Sequence, residues 1–313
     1  MGFAVPDDTV LIADGGLATE LEARGADLSD PLWSARLLVD APGDITAVHR
    51  AFSAAGAMIA ITASYQASFE GFAVRGIDRA TAAALLRRSV ELARDVAVPG
   101  GSMRWVAASV GPYGAACADG SEYRGRYGLS VAQLSAWHRP RLEVLAGAGA
   151  DLLALETVPD IDEAQALVGL VREADVPAWL SYTIDGGSTR AGQPLAEAFA
   201  VAAGVPQIVA VGVNCCAPAD VLPAIEIARE VTGKPVIAYP NSGESWQAGG
   251  WTGPARFSPE LVPQWVAAGA RIVGGCCRVR PADIAAVAAV LRRTCTQREN
   301  PAGGFIRSMQ HPS

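Results

Sequence analysis

Lysine is almost absent from this chain of 313 residues: Lys234 stands alone, and every other member of its 25 Lys and Arg residues is arginine. Schiff-base chemistry therefore has at most one candidate. Histidine is nearly as scarce, with 3 positions, His49, His138 and His311, too few for a His-rich metal site. No C-x-x-C spacing occurs among the 6 cysteines. No apolar run reaches the length of a bilayer span. The opening MGFAVPDDTV has no basic stretch followed by an apolar one, so no signal peptide is expected, and Pro6 breaks the myristoylation pattern. Basic charge is in deficit as well. With 25 Lys and Arg against 32 Asp and Glu the net charge is -7, which argues against nucleic acid or an anionic membrane as the main partner. A cytoplasmic setting is expected, where thiols stay reduced and paired cysteines read as metal or catalytic groups before disulfides.

What the chain does have is a repeated alternation. Apolar residues make up 50% and charged residues 18%, enough for one large domain or two ordinary ones with a substantial core. Short apolar runs recur from end to end: VLIAD (10–14), AMIAITASY (57–65), RWVAASVG (104–111), DLLALETV (151–158), AWLSYTI (178–184), IVAVGVNC (208–215), PVIAYPN (235–241) and ARIVGGCC (270–277). Between them lie stretches with helical spacing, among them 44–56, 81–97, 130–150, 162–174, 218–233 and 259–270. Ser130, Asp160 and Ser258 sit at N-cap positions, and several of these stretches end in glycine. Near-continuous apolar strands alternating with helices imply a parallel sheet covered on both faces. The pattern predicts an α/β fold, a single-domain (β/α)8 TIM barrel over residues 1–295, with a disordered tail at 296–313. An open doubly wound sheet is the alternative, but no G-x-G-x-x-G follows the first strand. Two connections are long, 112–129 and 241–257, and long loops in a compact domain usually carry function.

In such a barrel the site lies at the C-terminal strand ends. The unusual residues gather there: Asp14 after the first strand, Ser64, Tyr65 and Gln66 after the second, Glu156 at the fourth, Asn214 and Cys215 at the sixth, Tyr239, Asn241 and Glu244 after the seventh, Cys276 and Cys277 at the eighth. Lys234 precedes the seventh strand, on the opposite face, and His49 and His138 fall in helical stretches as surface or packing residues. Neighbouring side chains within a strand point to opposite faces, so two adjacent thiolates can share a metal only where the strand has stopped; Gly274 and Gly275 permit such a turn. Three thiolates at about 2.3 Å suit Zn2+ with a fourth position open. Such a site can hold a substrate thiol as thiolate, a nucleophile toward an alkyl carbon, with the rest of catalysis being alignment. Buried small hydrophobes or a redox pair are the other readings of the same cysteines. Cys216 should point away into packing, and Cys117 and Cys295 have no partners in the pattern.

VGVNC at 211–215 with GGCC at 274–277 resembles the pair of zinc motifs of the homocysteine S-methyltransferase family. DGGLATEL (14–21), SVGPYGA (109–115), ADGSEYRGRYG (118–128), HRPRLEVL (138–145), GADLLALETVP (149–159) and YPNSGESW (239–246) resemble it in the same order, over roughly residues 8–292. SVGPYGA and ADGSEYRG are similar to the branch that uses S-methylmethionine rather than betaine. The chain stops soon after the last barrel helix, so neither a betaine enzyme's oligomerisation arm nor cobalamin and folate modules are expected.

The resemblance implies that Cys215, Cys276 and Cys277 bind Zn2+ and activate the substrate thiol. It implies that Glu156 receives the amino group of homocysteine, that Asp14, Gly15 and Gly16 frame the amino acid, and that Asn214 orients the metal loop. The methyl donor would be a sulfonium, S-methylmethionine or S-adenosylmethionine, and the product methionine. Aromatic faces and carboxylates suit a sulfonium, and Tyr65, Tyr113, Tyr123, Tyr127, Tyr239, Glu244, Trp246 and Trp251 lie in the right loops. Cys117 stands where the family resemblance leads one to expect a bulkier residue. A methyltransferase acting on selenohomocysteine, selenocysteine or another small thiol keeps the same chemistry. A non-catalytic zinc-binding barrel is the reading from another class, and a phosphate-binding barrel is disfavoured because thiolates would repel the anion. The oligomeric state is left open.

Overall fold

A computed structural model describes residues 3–30, 32–97, 101–247 and 250–299. Eight parallel strands form one sheet: β1 (Leu11–Ile12), β2 (Ile59–Ile61), β3 (Trp105–Val110), β4 (Leu152–Val158), β5 (Ala178–Tyr182), β6 (Ile208–Asn214), β7 (Val236–Tyr239) and β8 (Ala270–Val273). Each pairs with its sequence neighbour, β8 pairs back onto β1 through Leu11–Ile272, and the parallel bridge Ala13–Ile59 closes β1 onto β2. The expected (β/α)8 barrel is therefore present, with all eight strands in the expected order and each shorter than its apolar run. Among the described residues no helix is long and apolar enough to cross a membrane.

Several helices start where side-chain oxygens meet orphan N–H groups. Ser130 and Gln133 form a reciprocal capping box at Val131–Ala146, and Asp160 accepts from the Asp162 N–H at the start of Ile161–Ala174. Ser258 caps a short 3-10 turn, Pro259–Leu261, ahead of the expected helix, which begins at Val262. The long connection 241–257 is not wholly irregular, since Ser245–Gln247 pairs antiparallel with Gly250–Thr252. The last helix, Pro281–Glu299, runs into the segment expected to be disordered, and the remainder of that tail, with His311, lies outside the described residues.

Strand pleating divides the core in two. Alternate residues Leu11, Ile59, Ala107, Leu152, Ala154, Trp179, Ala210, Ile237 and Ile272 fill the barrel interior, while Val106, Leu153, Leu155, Leu180, Val211, Val213 and Val273 pack outward against the helices. Phe3 reaches the interior from below and meets Trp105 edge-on at 5.3 Å. The same alternation carried to the C-terminal ends gives Ser109, Glu156, Ser181, Asn214 and Tyr239 as inward residues, polar above an apolar floor. Gly212 belongs to this interior series, and a Cβ there would stand 1.8 Å from the Ile237 carbonyl oxygen. Because the obstacle is backbone, Gly212→Ala is expected to destabilise the fold by about 3 kcal/mol. Chemical denaturation of the variant and the parent measures it, and an unchanged midpoint would refute the close approach of β6 and β7.

Candidate active site

The three cysteines meet at the barrel mouth. Cys215 Sγ lies 3.0 Å from Cys276 Sγ and 3.8 Å from Cys277 Sγ, and the three sulfurs all fall within 4.8 Å of one another. Four ligands at Zn–S lengths have S···S edges of about 3.8 Å, so the donors are soft, convergent and near the right spacing for one thiophilic ion. As expected, β8 stops at Val273 before its cysteine pair. The reason for its glycines differs from the expectation, however. Neither Gly274 nor Gly275 has positive φ; both are glycine because the chain passes close by, a Cβ on Gly275 falling 2.1 Å from Val279 and one on Gly274 falling 2.8 Å from the Asp14 carbonyl. Gly15 and Gly16 mirror them, with Cβ positions 2.6 Å from the Val279 and Cys276 carbonyls.

The β7 loop grips the cysteine loop. Asn241 Oδ1 accepts from the Cys277 N–H at 3.1 Å, the Ser242 N–H donates to the Cys277 carbonyl, and the Cys276 N–H donates to the Pro240 carbonyl. Asn214 acts elsewhere: it is fully buried, its Nδ2 donates to Thr157 Oγ1 at 2.7 Å and its Oδ1 accepts from the Thr157 N–H at 2.8 Å. Asn214 thus ties β6 to β4 and does not line the cavity, a correction to its expected place among substrate-binding residues. Cys216 turns into the outer core, and Cys117 is exposed and does not line the cavity. The Cys295 side chain lies outside the described residues.

A cavity opens above the sulfurs, walled by Gly15 to Thr19 on one side and by Trp33, Tyr65, Tyr123, Glu156 and Tyr239 around the rest. Among the described residues that line it none is Lys, Arg or His. Glu156, Gly15 and Gly16 are where the sequence placed them. Asp14 is set behind the wall, its Oδ2 accepting from the Ile61 N–H at 2.9 Å, and it reaches His49 at 4.0 Å rather than the cavity. Of the aromatic candidates, Tyr65, Tyr123 and Tyr239 line the cavity. Tyr113 and Tyr127 pack on each other at 5.1 Å, away from it, and Glu244 pairs with Arg278 at 3.1 Å. The Trp246 side chain lies outside the described residues, and Trp251 is not in the lining. Trp33 was not expected; only its backbone, with φ 49°, marks it as unusual. His49 and His138 are both fully buried, His138 as part of a polar network with Glu163 and Arg141 that the sequence did not reveal.

Charge at the site follows from burial. Donation from the Cys276 and Cys277 thiols, with Tyr123 behind them, holds Cys215 well below the usual thiol range, and as donors those two thiols are pushed well above it. Lys234, at the other end of the barrel, donates to the Val205 carbonyl. Glu156 accepts from Ser109 and, at 3.1 Å, from the Tyr239 hydroxyl. The Tyr239 hydroxyl in turn accepts from Trp179 Nε1 at 3.1 Å. Burial nonetheless pushes the Glu156 carboxyl up to about 7, against those hydrogen bonds, and the nearby Cys215 adds to the rise.

The fold and the site define a (β/α)8 barrel with three thiols gathered at its mouth, a group that could hold a metal ion. The chain belongs to the homocysteine S-methyltransferase family, whose profile matches residues 11–291. It is 48% identical to the homocysteine S-methyltransferase of Escherichia coli, covering 90% of this chain and 94% of that protein. It is 42% identical to the homocysteine S-methyltransferase YbgG of Bacillus subtilis, covering 90% and 95%. Among solved structures it is similar to the metallated form of the homocysteine methyltransferase MmuM from Escherichia coli, at 47% identity and a TM-score of 0.82, covering 91% of this chain and 97% of that one.

Because Glu156 has its folded-state value above the unfolded one, the native state keeps a proton that the unfolded chain loses between about 4.5 and 7. Its contribution to stability therefore falls as pH rises through that window. Glu156→Gln, which cannot titrate, is expected to gain stability relative to the parent across the same window and to gain no more above it. Urea unfolding of both proteins across the window checks this, and a difference independent of pH would show that the carboxyl is not held up by burial.

Proposed function

We propose that this protein is a zinc-dependent thiol methyltransferase that moves a methyl group from a sulfonium donor, S-methylmethionine or also S-adenosylmethionine, to L-homocysteine. The observation that carries the reading is the convergence of Cys215, Cys276 and Cys277 on a cavity that also holds Glu156. Cys215, Cys276 and Cys277 would hold the zinc ion, which when bound keeps the acceptor sulfur as thiolate near neutral pH. Glu156 receives the ammonium group of the amino acid, which in turn favours the ionised carboxylate. Gly15 and Gly16, which line the facing wall, would present their backbone to the same amino acid, with Asp14 bracing that turn from behind.

A cationic donor fits the opposite side. Trp33, Tyr65 and Tyr123 offer ring faces, and the lining carries no competing cationic side chain among the described residues. In the transfer a sulfur lone pair of the acceptor forms the new S–CH3 bond while the donor's S–CH3 bond breaks and its electrons neutralise the sulfonium. Homocysteine becomes methionine, S-methylmethionine leaves as methionine too, and the acceptor's thiol proton is released. What the chain itself contributes is alignment of the two sulfurs about the methyl carbon. The family's relatives in bacteria and plants, named as homocysteine S-methyltransferases, support this reading.

The test is methionine formation from homocysteine and S-methylmethionine, followed with the metal content of the reduced protein. About one zinc per chain is expected, with turnover abolished by a chelator and restored by zinc. Cys276→Ala is expected to lose both metal and activity, and full retention of both would end the proposal. Glu156→Gln is expected to raise the KM for homocysteine by at least about tenfold, the cost of an unpaired ammonium group, with zinc content unchanged.

A further inference from the structure

The rim of the site is built in part from a long loop whose regular structure is limited to short helical turns. Between β3 and the helix Val131–Ala146, residues 112–129 form one short helical turn, Tyr113–Cys117, and a 3-10 turn, Ser121–Tyr123. Ala118, Gly120, Gly125, Arg126 and Gly128 all have positive φ. Its backbone hydrogen bonds to itself are local, within those short turns, so its position on the barrel is set by the side chains that catch its backbone.

Those side chains are buried and come from the barrel. Glu163 Oε1 accepts from the Tyr113 N–H at 2.6 Å and lies 2.8 Å from His138 Nε2. Arg141 donates to the Gly111 carbonyl and lies 3.0 Å from His138 Nδ1. Gln66 Nε2 donates to the Ala115 carbonyl at 2.9 Å. At the far end, Asp160 Oδ2 accepts from the Arg126 N–H at 2.8 Å, while its Oδ1 takes Gln193 Nε2 at 3.0 Å. Asp160 and Glu163 belong to the first turn of one helix, Ile161–Ala174 with its cap, which follows directly on the strand that carries Glu156. Both ends of the loop are thus pinned to the same short stretch of chain.

What the pinned loop delivers is Tyr123. Its hydroxyl stands 3.6 Å from Cys215 Sγ, and the Arg190 guanidinium lies 6.0 Å from its ring centre. We propose that Tyr123 is the outer partner of the metal centre, its hydroxyl donating to the Cys215 sulfur, and that Glu163 and Asp160 are positioning residues that act on the centre through it. A hydrogen bond to a ligating thiolate draws charge off the sulfur, which lessens the mutual repulsion of three thiolates around one ion, and it fixes the direction in which Cys215 points. The inference rests on the metal reading of the three cysteines given under Proposed function.

Zinc-loaded protein titrated with a chromophoric chelator reads the effect without reference to turnover. Tyr123→Phe removes one hydroxyl at a half-exposed ring and is expected to fold like the parent by thermal melting. It should release zinc to the chelator at about tenfold lower concentration. Glu163→Gln and Asp160→Asn should each weaken zinc retention by roughly threefold in the parent and not at all in the Tyr123→Phe background, a coupling that a general loss of stability would not produce. If Glu163→Gln does not fold, Asp160→Asn alone carries the comparison. Equal zinc retention in the parent and Tyr123→Phe overturns the inference while leaving the metal reading intact. Additive losses in the double variants overturn the positioning roles. A parent protein that takes up no zinc would sink the metal reading itself and this inference with it.

Discussion

A strand sends successive side chains to opposite faces, and Cys215 has to escape that rule. Asn214 ends β6 pointing inward; had the strand continued, Cys215 would face the helices and Cys216 the barrel axis. The observed order is the reverse. Cys215 takes a left-handed backbone with φ 51°, its sulfur joins Cys276 and Cys277, and Cys216 goes to the outer core. A left-handed conformation at a residue other than glycine costs of order 1–3 kcal/mol and survives only where its surroundings over-determine it. Here they do. The Cys215 N–H donates to the Tyr239 carbonyl at 3.3 Å, Thr183 Oγ1 donates to the Cys215 carbonyl at 3.1 Å, and the Asn214 amide is clamped twice to Thr157. Thr157, next to Glu156, has φ 59° itself. The two strand ends that carry the site's sulfur and its carboxylate are therefore bent out of register together and tied to each other by one asparagine.

That coupling explains how a site of few residues is placed with accuracy on a fold of parallel strands. Close approach does the rest of the work. The turns after β1 and β8 touch through four glycines, 15, 16, 274 and 275, each of which would collide with backbone or a neighbouring side chain if it carried a Cβ. The wall of Gly15 and Gly16 and the loop of Cys276 and Cys277 are in effect one packed unit, so neither can shift without the other.

Much of this was legible in the sequence. Apolar runs located the eight strands because buried parallel strands cannot hide their composition, and the doublet at 276–277 could bind one ion only beyond a strand end, which fixed where β8 had to stop. Glu156 was legible as the last inward position of an otherwise apolar strand. The misses share a physical cause. Asp14 and Asn214 were expected at the substrate because polar residues at strand ends usually face the cavity, yet Asp14 spends its side chain on a backbone N–H of the neighbouring β2, and Asn214 spends its amide on Thr157 of β4, two strands away. Trp33, which lines the cavity, carries no periodic signal, since its importance lies in contacts made across the mouth. The Glu163–His138–Arg141 cluster was hidden because charged residues at helical spacing read as solvated faces until the loop that covers them is seen.

Phe3 has a wider meaning than packing. By entering the barrel from below and meeting Trp105, it stoppers the floor beneath the apolar interior, so traffic is confined to the upper opening. Under the function proposed above, both reactants would use that one opening, so the passage of each would be coupled to that of the other by the shape of the vessel.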